Sequence, residues 1–188
     1  IINEYKKILR YKKMIKFVFQ DKPLGTGDAV LKTKKLIKNK YFLMLLPDDL
    51  IIKNNCSKSM IAIHKKFNTS VMASMKVSKN NVSRWGIYNI KKKIDNMNFI
   101  IKNVVEKPTI KKAPSNNAVI GRYILPKTIF SKLLNLKPSN GGEIHITDAI
   151  QLLINDNNKF VGHTFTGKYL DCGTMKGYIN STLEIAKK

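Results

Sequence analysis

Tyr41-Phe42-Leu43-Met44-Leu45-Leu46-Pro47-Asp48-Asp49-Leu50 decides how the rest of this chain is read. An apolar run without alternation predicts a strand buried on both faces, the kind found in parallel sheets covered by helices. The run stops at two carboxylates. In open α/β sheets ligands bind just beyond the carboxyl ends of strands, so Asp48 and Asp49 stand where a site is expected. Acids at the mouth of an apolar strand are costly unless paired. In a chain with 35 Lys and Arg against 12 Asp and Glu, a divalent cation carrying a phosphate ligand is a natural partner. The plainer alternative is a polar turn that closes a strand.

Upstream, residues 14–19 predict a strand that delivers Gln20, and Leu24-Gly25-Thr26-Gly27 predicts a turn into a helix reaching about Ile37. Two glycines let a backbone approach a ligand closely, and a helix start offers unpaired N–H groups. The third glycine of the dinucleotide fingerprint is absent, and an ordinary strand-to-helix turn is the simpler reading. Downstream, residues 57–67 predict a helix with Met60, Ile61, Ile63, His64 and Phe67 on one face, followed by a strand at 71–77. This alternation predicts a parallel sheet wound with crossover helices.

After Val77 the pattern changes to two strands, 84–90 and 98–106, joined by a turn whose Lys91, Lys92 and Lys93 form a solvated tip. A loop at 113–117, a strand at 118–125 and a helix at 127–136 follow. The turn Ser139-Asn140-Gly141-Gly142 leads to a helix at 149–154, capped by Thr147 or Asp148. A strand at 160–165, a loop at 167–173 and a helix from Thr174 to about Ala186 complete the reading.

With 188 residues and 43% hydrophobic content the chain is sized for one domain with a core. It carries no apolar run of membrane-spanning length and no signal-peptide pattern. The formal charge of +23 invites a nucleic-acid partner. However, only Arg10, Arg84 and Arg122 are arginines, the lysines are scattered, and the chain is equally heavy in Ile and Asn. Biased coding composition therefore explains the charge better than a nucleic-acid footprint. Cys56 and Cys172 form no CxxC pair, and His64, His145 and His163 are dispersed, so neither a zinc pattern nor a disulfide framework is present. That usage suits a reducing cytoplasm.

The ordered series Gln20, Leu24-Gly25-Thr26-Gly27, Leu46-Pro47-Asp48-Asp49, Trp85-Gly86-Ile87, Val105-Glu106-Lys107-Pro108, Ala113-Pro114-Ser115-Asn116, Gly121-Arg122-Tyr123, Gly142-Glu143-Ile144-His145-Ile146-Thr147-Asp148-Ala149-Ile150 and Asp171-Cys172-Gly173 resembles the bacterial UTP glucose-1-phosphate uridylyltransferases, or UDP-glucose pyrophosphorylases. It is also similar to the wider sugar nucleotidyltransferases, including the thymidylyltransferases. The resemblance implies a Rossmann-like three-layer α/β fold with a mixed, mostly parallel sheet and a small β-rich sugar-binding part, as a single domain. It implies formation of UDP-glucose and pyrophosphate from UTP and glucose 1-phosphate, with Mg²⁺ as cofactor and self-association of the full-length protein.

Under that resemblance Gln20 bonds the pyrimidine edge and Gly25 lets the backbone lie against the base. Asp48 and Asp171 hold Mg²⁺ over the α-phosphate, Gly86 makes room for the sugar, and Glu106 accepts from sugar hydroxyls. Lys107 places its ammonium on the sugar phosphate, and Gly121 lines the sugar pocket. Three positions depart from the pattern: Asp28 stands where His is usual, His145 where Gln is usual, and Trp85 where Tyr is usual.

The family also begins with a strand and a Gly-x-Gly-Thr-Arg loop that grips the triphosphate, and Ile1 corresponds to a point after it. The sheet is therefore expected to carry a gap or an exposed edge. The isolated 188 residues are expected to be poorly stable and to show no turnover. Measured pyrophosphate release from UTP and glucose 1-phosphate would contradict that expectation.

Overall fold

The structure, a computed structural model, describes residues 2–138 and 142–187, so Ser139, Asn140 and Gly141 of the expected turn lie outside the described residues. In chain order the elements are α1 (Ile2–Leu9), α2 (Thr26–Lys32), β1 (Tyr41–Leu45), β2 (Asp49–Ile52), α3 (Cys56–Phe67), β3 (Ser70–Lys76), β4 (Gly86–Lys93) and β5 (Asn98–Glu106). They continue with β6 (Asn117–Pro126), α4 (Ile129–Asn135), α5 (Ile146–Asn155), β7 (Phe160–Thr164), β8 (Lys168–Asp171) and α6 (Met175–Ala186). No helix among the described residues is long and apolar enough to cross a membrane.

Six strands form one sheet in the order β1-β6-β3-β7-β5-β4, and β2 and β8 form a separate two-stranded ladder. Strand alternation sorts the core. Met72 of β3 faces one side with Tyr123 and Leu125 of β6, against Val30 of α2, Phe130 and Leu133 of α4, and Ile150 and Leu153 of α5. Val71 and Ala73 face the other side with Ile120 and Ile124, against Cys56 and Met60 of α3. A sheet with helices on both faces is the expected three-layer architecture. Burial pushes the Cys56 thiol up to about 11, so it behaves as a small core hydrophobe.

The sheet is mixed, as expected, but only one pair of neighbouring strands is parallel. β3 and β7 pair in parallel, while β1–β6, β3–β6, β5–β7 and β4–β5 are antiparallel. The strands β1, β3, β4 and β7 run one way and β5 and β6 the other, so "mostly parallel" describes direction and not pairing. The reason is β6. Its ten residues are almost wholly buried, and it enters between β1 and β3, antiparallel to both. Periodicity identifies a strand without naming its neighbours.

Four local expectations are corrected. β1 is a sheet edge rather than a strand buried on both faces, with Leu43 37% and Leu45 49% exposed. Residues 15–20 join no ladder, and Phe17 and Phe19 stand exposed, because an extended segment becomes a strand only beside a partner. Ile61 lies outside the buried face of α3, whereas His64 is half-buried as expected, its Nδ1 2.6 Å from the Thr69 carbonyl. Neither Thr147 nor Asp148 caps α5. That helix starts at Ile146, whose N–H donates to Thr26 Oγ1 at 3.2 Å.

Gly162 of β7 lies opposite Phe99 of β5, and a methyl group there would fall onto the phenyl ring. Gly162→Ala is expected to destabilise the domain by about 1–3 kcal/mol through overpacking. Urea unfolding of the two proteins checks it.

Candidate active site

The segment after β1 does not end in a free turn. Asp49 starts β2, and the antiparallel β2–β8 register sets Asp49 opposite Asp171 and Ile52 opposite Lys168. The stretch expected to be a loop at 167–173 is therefore largely a strand, and Cys172 N–H closes the end of the ladder on the Asp48 carbonyl at 2.8 Å. Asp48 and Asp171, 123 positions apart in the chain, are thereby brought to one end of one ladder.

The two adjacent acids then part company. Asp49 is half-buried; its carboxylate accepts from the Gly121 N–H at 2.6 Å and from the Tyr169 hydroxyl. Arg122 fastens the same corner, donating to the carbonyls of Leu46 at 2.7 Å and Gly121 at 2.9 Å, and to that of Asp49. Asp48 is exposed, and its carboxylate makes no hydrogen bond or ion pair among the described residues. The unfavourable carboxylate at the end of the apolar run is thus solved for Asp49 by protein donors and left open at Asp48.

Asp171 completes the arrangement. Its Oδ1 accepts from the Gly173 N–H at 3.0 Å, and its Oδ2 lies 3.6 Å from the Arg84 guanidinium. A Cβ on Gly173 would stand 3.0 Å from Asp48 Oδ2 and 3.4 Å from Asp171 Oδ1, so both carboxylates border the space that this glycine leaves. Burial, the hydrogen bond to Asp49 and the charges of Asp49, Asp171 and Asp48 push the Tyr169 phenol far above its ordinary value, so it stays a donor. α6 supports Asp171 from below: Thr174 caps the helix through the Gly177 N–H at 3.1 Å, and Ser181 Oγ reaches the Asp171 carbonyl at 3.4 Å.

A second corner adjoins the first. Gly86 pairs with Glu106 across β4–β5, and a Cβ on Gly86 would lie 3.0 Å from Glu106 Oε2. Lys107 follows with φ +42, a left-handed conformation disfavoured for a side chain of this kind, held by its N–H to the Trp85 carbonyl at 3.1 Å. Glu106 and Lys107 are exposed and Pro108 is buried beneath them. Arg84 and Trp85 join this corner to the acids, Arg84 through Asp171 and Trp85 edge-on to Tyr169 at 5.5 Å.

Gln20 and Gly25 belong to a third cluster, and no described hydrogen bond or ion pair joins it to the acids. Its Gly-Thr-Gly loop is zipped to the Glu143–Ile146 stretch: Ile144 N–H donates to Leu24 at 2.8 Å, and Gly27 N–H to Ile144 at 2.7 Å. Gly25, at φ +95, has Ile144 O 2.6 Å from its Cβ position, so close backbone packing already demands glycine there. Gly121 is likewise required by contact, with Leu46 Cβ 2.6 Å from where its own Cβ would be.

The donor set at Gly173 suits a small hard cation. Two carboxylates converge, one has no protein partner, and no third His, Cys, Asp or Glu joins them among the described residues. That leaves room for the water and phosphate oxygens that Mg²⁺ prefers. Sequence reasoning did not single out Arg84, Arg122 or Tyr169. The scarcity of arginine was the available signal for the first two, and β8 was hidden because its pairing with β2 is read only in three dimensions.

Fold and site together describe an α/β domain in which two distant carboxylates meet beside a two-stranded ladder. The chain belongs to the nucleotidyl transferase family, whose pattern it matches over residues 2–188. It is 35% identical over 177 residues to UTP–glucose-1-phosphate uridylyltransferase 2 of Streptococcus pyogenes serotype M1, covering 92% of this chain and 59% of that protein. It is 35% identical over 161 residues to the UTP–glucose-1-phosphate uridylyltransferase of Pseudomonas aeruginosa, covering 84% and 57%. The crystal structure of a UDP-glucose pyrophosphorylase without ligand superposes with a TM-score of 0.89 at 34% identity, over 98% of this chain and 69% of the other. One complexed with UDP-glucose gives 0.86 at 34%, over 100% and 73%. The chain spans about three fifths of the length of the curated relatives it matches.

Asp49→Ala leaves the Gly121 N–H and the Tyr169 hydroxyl without their acceptor and is expected to cost about 2–3 kcal/mol. Asp48→Ala is expected to stay within about 0.5 kcal/mol of the parent. Equal losses for the two variants in chemical unfolding would contradict this division of roles.

Proposed function

We propose that the whole protein forms UDP-glucose and pyrophosphate from UTP and glucose 1-phosphate. The observation that carries this reading is the convergence of the Asp48 and Asp171 carboxylates about Gly173, next to the Glu106–Lys107 corner. The likeness to uridylyltransferases at 35% identity supports the choice of nucleotide and sugar.

In this reading Asp48 and Asp171 would hold Mg²⁺, whose charge would offset that of the phosphate oxygens. Lys107, held by its backbone rather than by an ion pair, places its ammonium on the sugar phosphate, and Glu106 accepts from sugar hydroxyls. Gly86 keeps the space before Glu106 free of a side chain. Gln20 contacts the pyrimidine beside the backbone at Gly25. Gly121 acts from behind, by letting Leu46 and Asp49 close on β6. The attacking phosphate oxygen is already ionised at neutral pH, so no side-chain base is needed. Rate enhancement then rests on bringing two polyanions together in line and compensating their charge.

UDP-glucose, which spans base, phosphates and sugar, is the ligand that tests the reading. Titration calorimetry is expected to show binding that weakens at least about tenfold when Mg²⁺ is chelated, a difference of about 1.4 kcal/mol. Asp171→Asn is expected to abolish the metal dependence. Binding indifferent to chelation, or no binding at all, would count against it.

A further inference from the structure

An amide side chain can read a base through either end, because Nε2 donates and Oε1 accepts. In this chain one end of Gln20 is already taken. Its Nε2 donates to Asp28 Oδ2 at 2.8 Å and to the Gly25 carbonyl at 3.2 Å. Both partners are acceptors, and together they use both Nε2 hydrogens. Turning the amide over would set Oε1 against a carboxylate and a carbonyl.

Neither partner is loose. Asp28 is only 6% exposed, and its other oxygen lies 3.8 Å from Lys32 Nζ one turn along α2. The Gly25 carbonyl accepts from Ala29 N–H at 3.2 Å, within the loop that is zipped to Ile144. Gln20 Oε1 has no hydrogen bond among the described residues and is the end left for a ligand.

We infer that Asp28 is a positioning residue that sets base specificity: it fixes Gln20 with its acceptor outward. The base that meets Gln20 must then offer a ring N–H. Uracil and thymine do so at N3, whereas cytosine carries a lone pair there and would leave two acceptors facing each other. The same argument gives a use to the acid that stands at position 28. The inference rests on the proposal that Gln20 contacts the base.

Competition of UTP and CTP against UDP-glucose, measured by calorimetry with Mg²⁺, tests it on the parent chain, Asp28→Asn and Gln20→Leu. The parent is expected to prefer UTP by at least about a hundredfold, since a site built around one hydrogen bond strongly rejects an analogue that cannot make it. Asparagine can accept from or donate to Gln20 while the Gly25 carbonyl still favours Nε2 inward, so Asp28→Asn is expected to lower the UTP/CTP ratio only in part, about tenfold, mainly by tightening CTP. Gln20→Leu is expected to weaken UTP and erase the preference. If Gln20→Leu weakens UTP but Asp28→Asn keeps the full ratio, the latch is wrong and the base contact stands. If Gln20→Leu leaves UTP affinity unchanged, the base contact fails and the inference with it. Side-chain NMR of the unliganded parent gives an answer independent of the variants: both Gln20 Nε2 protons are expected to exchange slowly with solvent, and fast exchange overturns the latch.

Discussion

The site depends on one carboxylate that the protein holds by both of its oxygens. Asp49 accepts from the Gly121 N–H and the Tyr169 hydroxyl, while Arg122 closes on the carbonyls around it. These bonds tie three pieces of chain together: the end of the β1 segment, the middle of β6 and the β8 ladder. With the ladder register fixed, Asp48 and Asp171 have no choice but to share an end. The missing Cβ atoms at Gly121 and Gly173 are the steric counterpart, one admitting Leu46 and Asp49, the other leaving space between the two outer acids.

The same logic separates the remaining charges. In a chain of net +23, acids are scarce, and most of those buried or half-buried have a protein donor: Asp28 has Gln20 and Lys32, Asp49 has Gly121 and Tyr169, and Asp171 has Gly173 and Arg84. Asp48 is exposed and has none among the described residues. Desolvation makes an unpaired carboxylate beside two others unfavourable, and the protein tolerates it only because the position is exposed. The left-handed backbone at Lys107 is a parallel case of a local cost kept next to the site.

Much of this was legible before the structure. The helices α3, α4 and α6 and the β4–β5 hairpin follow from periodicity and turn residues, and the ordered motifs give the family and the acids to watch. What the sequence hid is non-local. β6 enters between β1 and β3 because of its length and burial, which no window of residues reveals. β8 looks like a loop because four residues bounded by Gly167 and Gly173 become a strand only against β2. Asp48 and Asp49 are chemically identical in the sequence, and only the position of Gly121 and Tyr169 tells the structural acid from the open one. Residues 14–19 show the opposite error, where strand-like composition meets no partner: Met14 ends a short 3-10 turn and residues 15–19 stay unpaired and exposed.

The central proposal is that Asp48 and Asp171, brought together at the end of the β2–β8 ladder, form one cation site. Substituting Mn²⁺ for Mg²⁺ in the presence of UDP-glucose turns that site into a paramagnetic centre whose position can be read by NMR. The account predicts that the first amide signals to broaden are those of Asp48, Asp171, Cys172 and Gly173, with Asp49 close behind and exposed acids such as Asp156 unaffected. Broadening centred elsewhere, or spread evenly over the surface carboxylates, would contradict it.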